Sequence, residues 1–430
     1  MTMEYDEIAR RAQRAEERRR REEQRQEAQK KMMFRLAVVG AALILCAIVI
    51  LVVALGRRGD SGETQPSETQ GQLSTTVPAV TEPTTVIHLA AAGDLNVTDG
   101  TVAAGNRNGI YDYSGVFLDV APILGAADLT VLNFEGNLYG APYGSQNVSA
   151  PQQMVQALAD AGVDLVQMAN SWSIKNGISG LQATLQGIRV TGMEPLGAFG
   201  SQEEFDSSKG YYIRNIGGIR IAFVAFTKGM DNMGLPAGCE DYVNLLYKDY
   251  SSSYTTVDTE GITSILRSVA EDEPDLTVAL VHWGSEYNEN ISSTQEKIVK
   301  LMAQEGVDAI LGSHSHRLQK MGFDEKLGIF VAYSLGDLFG DASMPAAAYS
   351  IILDLEITKD NQTGKTAITG YDYTPIYTIR DPESGLPVKV LRIRQAIMAY
   401  EQYFVGRVDE TTYTGMKTAL TRIEERIQGK

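Results

Sequence analysis

The chain has 430 residues, of which 43% are hydrophobic, so it is long enough for a folded domain with further segments. Its formal net charge is −16, and residues 59–430 carry 25 Lys and Arg against 46 Asp and Glu. This acidic balance argues against general nucleic-acid binding, which depends on neutralising phosphates. The two cysteines, Cys46 and Cys239, provide neither a disulfide framework nor a cysteine-based zinc site.

The N-terminal region predicts a membrane anchor. Residues 1–35 carry 11 Lys and Arg and 8 Asp and Glu, which predicts a charged cytoplasmic helix. That helix either contacts anionic lipids or is simply solvated, and its mixed charge favours the solvated alternative. Residues 36–56 contain no charged residue and would form a helix roughly 30 Å long, enough to cross a bilayer. No small-residue cleavage site follows, which favours a single-pass anchor over a signal peptide.

The basic residues lie mostly before the apolar run, which predicts a cell-membrane protein with a cytoplasmic N-terminus. Residues 57–85 are rich in Ser, Thr, Gln, Glu, Gly and Pro and predict a disordered linker. A folded extracellular domain is then expected over residues 86–381. Residues 382–430 are expected to form a helical appendage, with helix from residue 390 onwards.

Within the folded domain, short apolar runs rich in β-branched residues alternate with helical patterns, which predicts an α/β fold. The predicted buried strands cover residues 86–92, 129–133, 165–169, 219–226, 276–282, 309–311 and 329–333. The predicted intervening helices cover residues 151–161, 180–187, 259–270 and 294–305. Gly217 and Gly218 predict a hairpin between residues 211–216 and 219–226, so the sheets should be mixed. Two further antiparallel strands are expected at residues 350–358 and 365–377.

Several predicted strands end in side chains of the kinds that bind metal ions. They are Asp94, Asn96, Asn133, Glu135, Asn170, His282, His314 and His316. Carboxylate, amide and imidazole groups from different strands are what a divalent metal site needs, and His314 and His316 can face one cavity. The alternative is that they are scattered turn, cap and core residues. The fourth histidine, His88, lies inside an apolar run and is expected to pack in the core.

The chain resembles the bacterial CapA family of poly-γ-glutamate capsule synthesis proteins from about residue 86 to residue 381. The resemblance rests on Gly93-Asp94, Asn133-Phe134-Glu135-Gly136, His282-Trp283-Gly284-Ser285-Glu286-Tyr287, Gly312-Ser313-His314-Ser315-His316 and Tyr333-Ser334-Leu335-Gly336-Asp337. It implies the calcineurin-like metallophosphoesterase fold, in which two packed mixed β-sheets are flanked by helices as a four-layer sandwich. It also implies a divalent metal ion such as Mn, Fe or Zn, with Asp94, Glu135, His282, His314 and His316 facing it.

The third motif departs from the family pattern. The family usually has Ala-Asn-Asn-His, whereas this chain has Ala169-Asn170-Ser171-Trp172. In related phosphoesterases the Asn-His pair supplies a metal ligand and the group that protonates the leaving oxygen. Ser171 is a poor ligand, and Trp172 cannot act as a general acid near neutral pH. The chain also has Asp337 where Asn is usual, and Asn96 where Met or His is usual.

Two hypotheses follow from these motifs. The first is a metal-dependent hydrolase of phosphoesterase type in capsule or poly-γ-glutamate biosynthesis or export. Here Asn170 and His282 take catalytic roles, and the substrate contacts are Asn133, Trp172, Glu286 and Asp337. The second is a catalytically impaired binding or assembly factor, whose partners are an extracellular polymer or envelope-assembly proteins. Trp172 either stacks on a sugar ring or simply packs, and Lys228 is expected on the surface.

Overall fold

The computed structural model describes residues 83–341 and 347–429. The predicted cytoplasmic helix, the predicted anchor and residues 57–82 of the predicted linker lie outside the described residues. Among the helices of the described part, none combines the length and the apolar character needed to cross a bilayer.

The first sheet contains eight strands around β1. In spatial order it runs β16-β15-β14-β1-β4-β5-β6, and β13 also pairs with β1. Strands β4 and β13 run parallel to β1, whereas β14 is antiparallel, so the sheet is mixed. Its strands are β1 (Thr84–Asn96), β4 (Leu129–Glu135), β5 (Leu165–Gln167), β6 (Glu194–Leu196), β13 (Asp337–Phe339), β14 (Tyr349–Asp360), β15 (Thr366–Arg380) and β16 (Pro387–Arg392).

The second sheet has six strands in the order β11-β12-β10-β9-β8-β7. It is also mixed, because the central strands run parallel while the β7–β8 and β11–β12 pairs are antiparallel. Its strands are β7 (Tyr211–Ile216), β8 (Ile219–Thr227), β9 (Leu276–His282), β10 (Ala309–Ser313), β11 (Met321–Asp324) and β12 (Ile329–Ala332). A separate small ribbon pairs β2 (Asn106–Arg107) with β3 (Ile110–Tyr111).

Ten helices connect these strands in the described part of the chain. They are α1 (Asp99–Gly105), α2 (Ser114–Phe117), α3 (Ala121–Leu124), α4 (Gln152–Asp160), α5 (Gly177–Arg189), α6 (Gln202–Ser208), α7 (Thr259–Glu271), α8 (Ser293–Gln304), α9 (Ile393–Glu401) and α10 (Glu410–Ile427). Polar caps fix the starts of the two helices that cover the second sheet. Asp258 caps α7, and Ser292 forms a capping box with Gln295 at α8.

The side chains of β8 show how the layers pack. Phe223 and Ala225 point into the core cluster that contains residues of both sheets, such as Leu89 of β1. Val224 and Phe226 point the other way, into a cluster shared with α7 and α8. Because side chains alternate across a strand, both faces of the second sheet are buried, and β8 reads as a continuous apolar run.

The α/β fold with two mixed sheets is confirmed, and the predicted strands and intervening helices are confirmed with shifts of a few residues at their ends. The prediction of helix from residue 390 is wrong at its start, because residues 390–392 belong to β16, which pairs with β15. The predicted boundary between residues 381 and 382 stays a prediction. The short strands β6, β11 and β13 were missed, because three or four residues are too few for a periodic pattern.

The prediction that His88 packs in the core is wrong. Its side chain is 46% exposed, and its Nδ1 lies 3.0 Å from Asp354 Oδ2 on the neighbouring strand β14. The early residues of β1 alternate between exposed and buried, and His88 falls on the exposed side. A strand that begins outside the core has one face in solvent, and polar residues can occupy that face. The apolar residues around His88 in the sequence did not indicate that β1 begins in this way.

Candidate metal centre

The candidate site lies where strands of both sheets end. Asp94 pairs in register with Asn133 of β4 on one side and with Asp337 of β13 on the other. In the second sheet, His282 at the end of β9 pairs with Ser313 at the end of β10. Parallel strands bring their carboxyl ends to one edge, so residues far apart in the chain meet there.

Two glycines allow the backbone segments of the site to approach closely. A Cβ at Gly93 would lie 1.7 Å from the carbonyl oxygen of Gly336, and one at Gly312 would lie 2.0 Å from that of Tyr333. The backbone N–H of Asp94 donates to Gly336 O at 2.9 Å, and a side chain at residue 93 would collide with that same oxygen. The glycines before Asp94 and before Ser313-His314 therefore serve close packing of the strand ends.

The first donor group consists of Glu135, His282 and His314. One ligand atom from each of these buried residues lies within 4.8 Å of the other two. His282 Nε2 is 2.9 Å from Glu135 Oε1, and the rings of His282 and His314 are 4.4 Å apart at their centroids. A carboxylate with two imidazoles is a donor set that suits Zn, Fe or Mn.

The second donor group consists of Asp94, His316 and Asp337, whose ligand atoms also lie within 4.8 Å of one another. His316 Nδ1 is 2.9 Å from Asp337 Oδ1 and 3.6 Å from Asp94 Oδ2. His316 Nε2 lies 3.7 Å from Glu135 Oε2, so Glu135 contacts histidines of both groups. The carboxylate of Glu135 thus lies between the two groups.

Unpartnered atoms in both groups fit the binding of cations. Glu135 Oε1 and His314 Nδ1 in the first group are buried without a hydrogen bond, and so are Asp337 Oδ2 and Asn96 Oδ1 at the second. Leaving buried polar atoms unsatisfied costs about 1–3 kcal/mol each, and native proteins seldom tolerate four of them in one place. All four are lone-pair donors of the kinds that bind divalent metal ions, so the residues present fit a metal centre.

Burial governs the protonation of the site. It raises the pKa of Asp94 well above its ordinary value and that of Glu135 to about 7, helped by neighbouring carboxylates. Burial also holds the pKa values of His282 and His314 well below normal, so both imidazoles are neutral ligands at pH 7. Burial opposes the charge on His316 as well, but Asp337, Glu135 and Asp94 together raise its pKa well above normal.

The histidine loop has an unusual backbone. His314 has φ +89° and His316 has φ +54°, the left-handed region that non-glycine residues seldom adopt. Tyr287, whose ring lies 5.2 Å from that of His316, has φ +56°. Strain of this kind persists where the surroundings over-determine it, and it concentrates at functional sites.

Asn133 and Asn170 form a buried amide chain behind the ligand atoms. Asn133 Nδ2 donates to Asp94 Oδ1 at 2.7 Å, and Asn170 Nδ2 donates to Asn133 Oδ1 at 3.1 Å. Asn170 also bonds Phe134 O and accepts from Trp172 N–H, so all these amide contacts are with the protein. The two residues are therefore placed to position Asp94 and the loop of Trp172. The predicted substrate contact of Asn133 and the predicted catalytic role of Asn170 stay predictions.

Ser171 lies beside the first donor group, in the place where the family has an amide. Its hydroxyl is 3.0 Å from His282 Nε2, and its backbone N–H lies 3.3 Å from the same nitrogen. A serine side chain is shorter than asparagine and offers one oxygen instead of an amide. The first donor group therefore keeps a weak oxygen donor at this position.

A cleft of about 230 Å³ opens from the site towards solvent. The residues that line it, here called the outer cleft, are Asn96, Val97, Thr98, Glu135, Ser145, Val148, Trp172, Glu286, Tyr287, His316 and Asp341. Glu135 and His316 belong to the donor groups, so the cleft reaches the candidate metal centre directly. Trp172 and Glu286 line it, and their predicted role as substrate contacts stays a prediction.

The prediction of a surface position for Lys228 is wrong. Its Nζ donates to Gly284 O at 2.9 Å and lies 3.3 Å from His314 Nε2. Burial lowers the pKa of Lys228, and Glu286 partly offsets this. Lys228 is the first residue after β8, and β8 pairs with β9, which ends at His282. A position directly after a predicted strand was therefore the sequence signal that could have placed Lys228 at the site. Asp337 lies in the second donor group, where it contacts His316, and its predicted substrate contact stays a prediction.

Divalent metal ions bound by these donor groups would lower the pKa of a coordinated water and polarise a phosphoryl or acyl oxygen. The chain itself holds His282 and His314 neutral and orients Asp94 through Asn133. Within the outer cleft, Trp172 stands at the position of the family histidine and has no group that could protonate a leaving oxygen near neutral pH. The arrangement suits hydrolysis of groups that leave without protonation.

The model of the bacterial capsule synthesis protein family PGA_cap matches residues 88–342, more than half of the chain. The chain belongs to this family. The resemblance seen in the motifs is confirmed, and the matched segment contains every residue of both donor groups. Strands β14 to β16 and helices α9 and α10 follow the matched segment.

Two curated relatives are similar to this PGA_cap member. It is 26% identical over 287 residues to the capsule biosynthesis protein CapA of Bacillus anthracis, with 64% of each chain covered. It is 25% identical over 262 residues to the PGA biosynthesis protein CapA of Bacillus subtilis, with 60% of this chain and 64% of that protein covered. The chain thus spans slightly less than two thirds of the length of either relative.

Solved structures that are similar to this chain include two phosphoester-cleaving enzymes. The calcineurin-like phosphoesterase YfkN from Bacillus subtilis aligns over 80% of this chain and 100% of its own, at 14% identity and a TM-score of 0.43. A phosphatase from Mycoplasma pneumoniae aligns over 68% of this chain and 94% of its own, at 13% identity and a TM-score of 0.41.

Proposed function

We propose that this protein acts in the biosynthesis or export of a capsule-type extracellular polymer, as a metal-dependent hydrolase with phosphoesterase-like chemistry. The observation that carries the proposal is the pair of adjacent buried donor groups at the base of the outer cleft, with Glu135 between them. Two neighbouring sets of nitrogen and oxygen donors are what a two-metal hydrolytic centre needs. Membership of the capsule synthesis family supports the biological setting.

We further propose that residues 36–56 anchor the protein in the cell membrane and that the described domain acts outside the cell. The support is the uncharged 21-residue run with basic residues mostly before it. In this arrangement the outer cleft would meet an extracellular polymer or the proteins of an envelope-assembly machine. Cell fractionation tests the membrane anchor, and protease treatment of intact cells tests whether the described domain lies outside the cell.

Metal content tests the hydrolase directly. The purified 430-residue chain should carry about one or two divalent ions by elemental analysis, and the double variant His314→Ala and His316→Ala should carry none. The exposed His88→Ala variant is the matched control, because it removes a histidine outside both donor groups. Absence of bound metal from the wild-type chain after growth and reconstitution with Mn, Fe and Zn would remove the proposal.

The Ser171–Trp172 pair favours a second candidate, a binding or assembly factor that keeps the metal centre but hydrolyses little. Loss of a general acid typically lowers a hydrolytic rate by about 10²–10⁴. The variant Trp172→His, alone and with Ser171→Asn, separates the candidates with bis(p-nitrophenyl) phosphate as substrate. A metal-loaded protein that stays inactive in all variants would support the binding role.

A further inference from the structure

The outer cleft has an aromatic and acidic part beyond the donor groups. Trp172 and Tyr287 line it, together with the carboxylates of Glu286 and Asp341. Its volume of about 230 Å³ is several times the roughly 30 Å³ that one water occupies in the liquid. The cleft therefore admits one ring-sized group next to the metal centre.

Two polar groups in this part lack partners. Neither the Glu286 carboxylate nor the Tyr287 hydroxyl makes a hydrogen bond with any residue that the structure describes, whereas Asp341 is paired with Arg380 at 2.8 Å. Tyr287 is nevertheless held firmly, because its backbone N–H donates to Ser315 O at 2.8 Å and its φ is +56°. An aromatic residue held in a strained conformation with its hydroxyl unused is arranged to meet a ligand.

Charge restricts what that ligand can be. The carboxylate of Glu286 disfavours a second anionic group at this end of the cleft, which argues against a run of glutamate carboxylates. Bound divalent ions at Glu135 and His316 would disfavour an ammonium group, and Lys175 Nζ already lies 5.1 Å from the centroid of the Trp172 ring. A neutral group remains, and carboxylate acceptors require that it bring hydrogen-bond donors.

We propose that the outer cleft binds one monosaccharide ring of the substrate, with the apolar face of the sugar against Trp172 and its hydroxyls donating to Glu286. This inference deepens the proposed function and rests on it for the neighbouring hydrolytic step. A pyranose ring combines an apolar C–H face with several hydroxyl donors, which matches an indole beside a carboxylate. Trp172, which replaces the family histidine, thus exchanges a proton donor for a sugar platform.

Binding is tested with methyl glycosides, which carry no phosphate and need no hydrolysis. Saturation-transfer NMR on the metal-free 430-residue chain would screen methyl α-glucoside, methyl β-galactoside and methyl N-acetyl-β-glucosaminide. At least one should bind saturably, and Trp172→Ala should weaken that binding about tenfold, which is about 1.4 kcal/mol. The chain has only two tryptophans and Trp283 is fully buried, so emission from Trp172 should shift on binding.

Two further variants keep the test informative if Trp172→Ala fails to fold. Glu286→Gln changes an exposed side chain and should weaken glycoside binding several-fold, while Trp172→Phe should give an intermediate affinity. Tyr403→Ala, which removes an aromatic residue that is 77% exposed and not part of the cleft, should change nothing.

The two proposals fail in different ways. Glycoside binding without any metal or hydrolysis would remove the hydrolase and leave the sugar site standing. Conversely, metal-dependent hydrolysis with equal kcat/KM for the p-nitrophenyl phosphodiesters of glucose and of glycerol would remove the sugar site alone. Failure of every glycoside to bind, or tighter binding of a γ-linked glutamate trimer to the same residues, would also overturn it.

Discussion

The hydroxyl of Ser171 lies 3.0 Å from Nε2 of His282, on the side of the imidazole that faces Glu135. Ser171 thus offers the first donor group one hydroxyl oxygen. The side chain at residue 171 is therefore a place to test the ligands of that half of the centre.

We expect Ser171→Asn to tighten metal binding at the first donor group by about tenfold, because an amide oxygen is a better ligand than a serine hydroxyl. Isothermal titration of the metal-free protein with Mn²⁺ measures the change. Ser171→Ala should weaken binding only slightly. An Asn variant with unchanged affinity would show that residue 171 does not reach the metal.

Metal binding should strengthen as the pH rises from 6 to 8. Burial raises the pKa of Glu135 to about 7, and a metal ion binds only its carboxylate form, so a proton must leave below that pH. Affinity for Mn²⁺ should fall by up to about tenfold for each pH unit below 7 per proton released. Titrations in buffers of different ionisation enthalpy measure that release, and Glu135→Gln should remove the share of it that comes from this carboxyl, together with most of the binding at the first donor group.

The raised pKa of Glu135 has the opposite effect on the stability of the metal-free protein, which should fall as the pH rises. Because the pKa of Glu135 is raised from 4.5 to about 7, its contribution to the free energy of unfolding is full below pH 4.5 and is lost as the pH rises through 7. Bound metal should remove this loss. Urea unfolding at pH 6 and 8, with and without Mn²⁺, would show whether the metal-free protein alone is less stable at the higher pH.

Asn170→Ala should destabilise the domain by about 2–4 kcal/mol. The substitution leaves Trp172 N–H and Asn133 Oδ1 without a partner inside the protein, and each such group costs about 1–3 kcal/mol; Phe134 O loses one of its two donors and keeps Gly136 N–H. Urea unfolding measures the loss, with Asn290→Ala at an exposed position as the control. A change below about 0.5 kcal/mol would contradict the buried amide chain.

Glu289 joins the loop of His316 to the C-terminal helix. It pairs with Arg317, next to His316, and with Arg426 of α10. All three side chains are partly buried, so Arg426→Gln should destabilise by about 0.5–1.5 kcal/mol. A double-mutant cycle with Glu289→Gln measures the coupling, and Arg422→Gln on the exposed side of α10 serves as the control. A coupling energy near zero would show that the helix is held by its apolar face alone.

Local features of the chain were enough to predict the strands, the main helices and most of the donor residues. The apolar run of β9 ends at His282, and Gly93-Asp94 and Gly312-Ser313-His314 follow runs that are buried in the structure. These signals are local, because hydrophobic periodicity and turn residues act over a few positions. His88 shows their limit, since an apolar neighbourhood in sequence did not reveal that β1 begins outside the core.

By itself, then, the sequence determined the α/β fold, the family and the identities of the donor residues, because these depend on patterns within short segments. Only the tertiary structure decided that the donors form two groups with Glu135 between them, that Asp337 belongs to one of them, and that Lys228 lies beside His314. It also decided that Asn170 is occupied by protein contacts and that Trp172 lines a cleft with Tyr287. These relationships depend on the register between strands and on how the two sheets approach each other, which no short segment of sequence encodes.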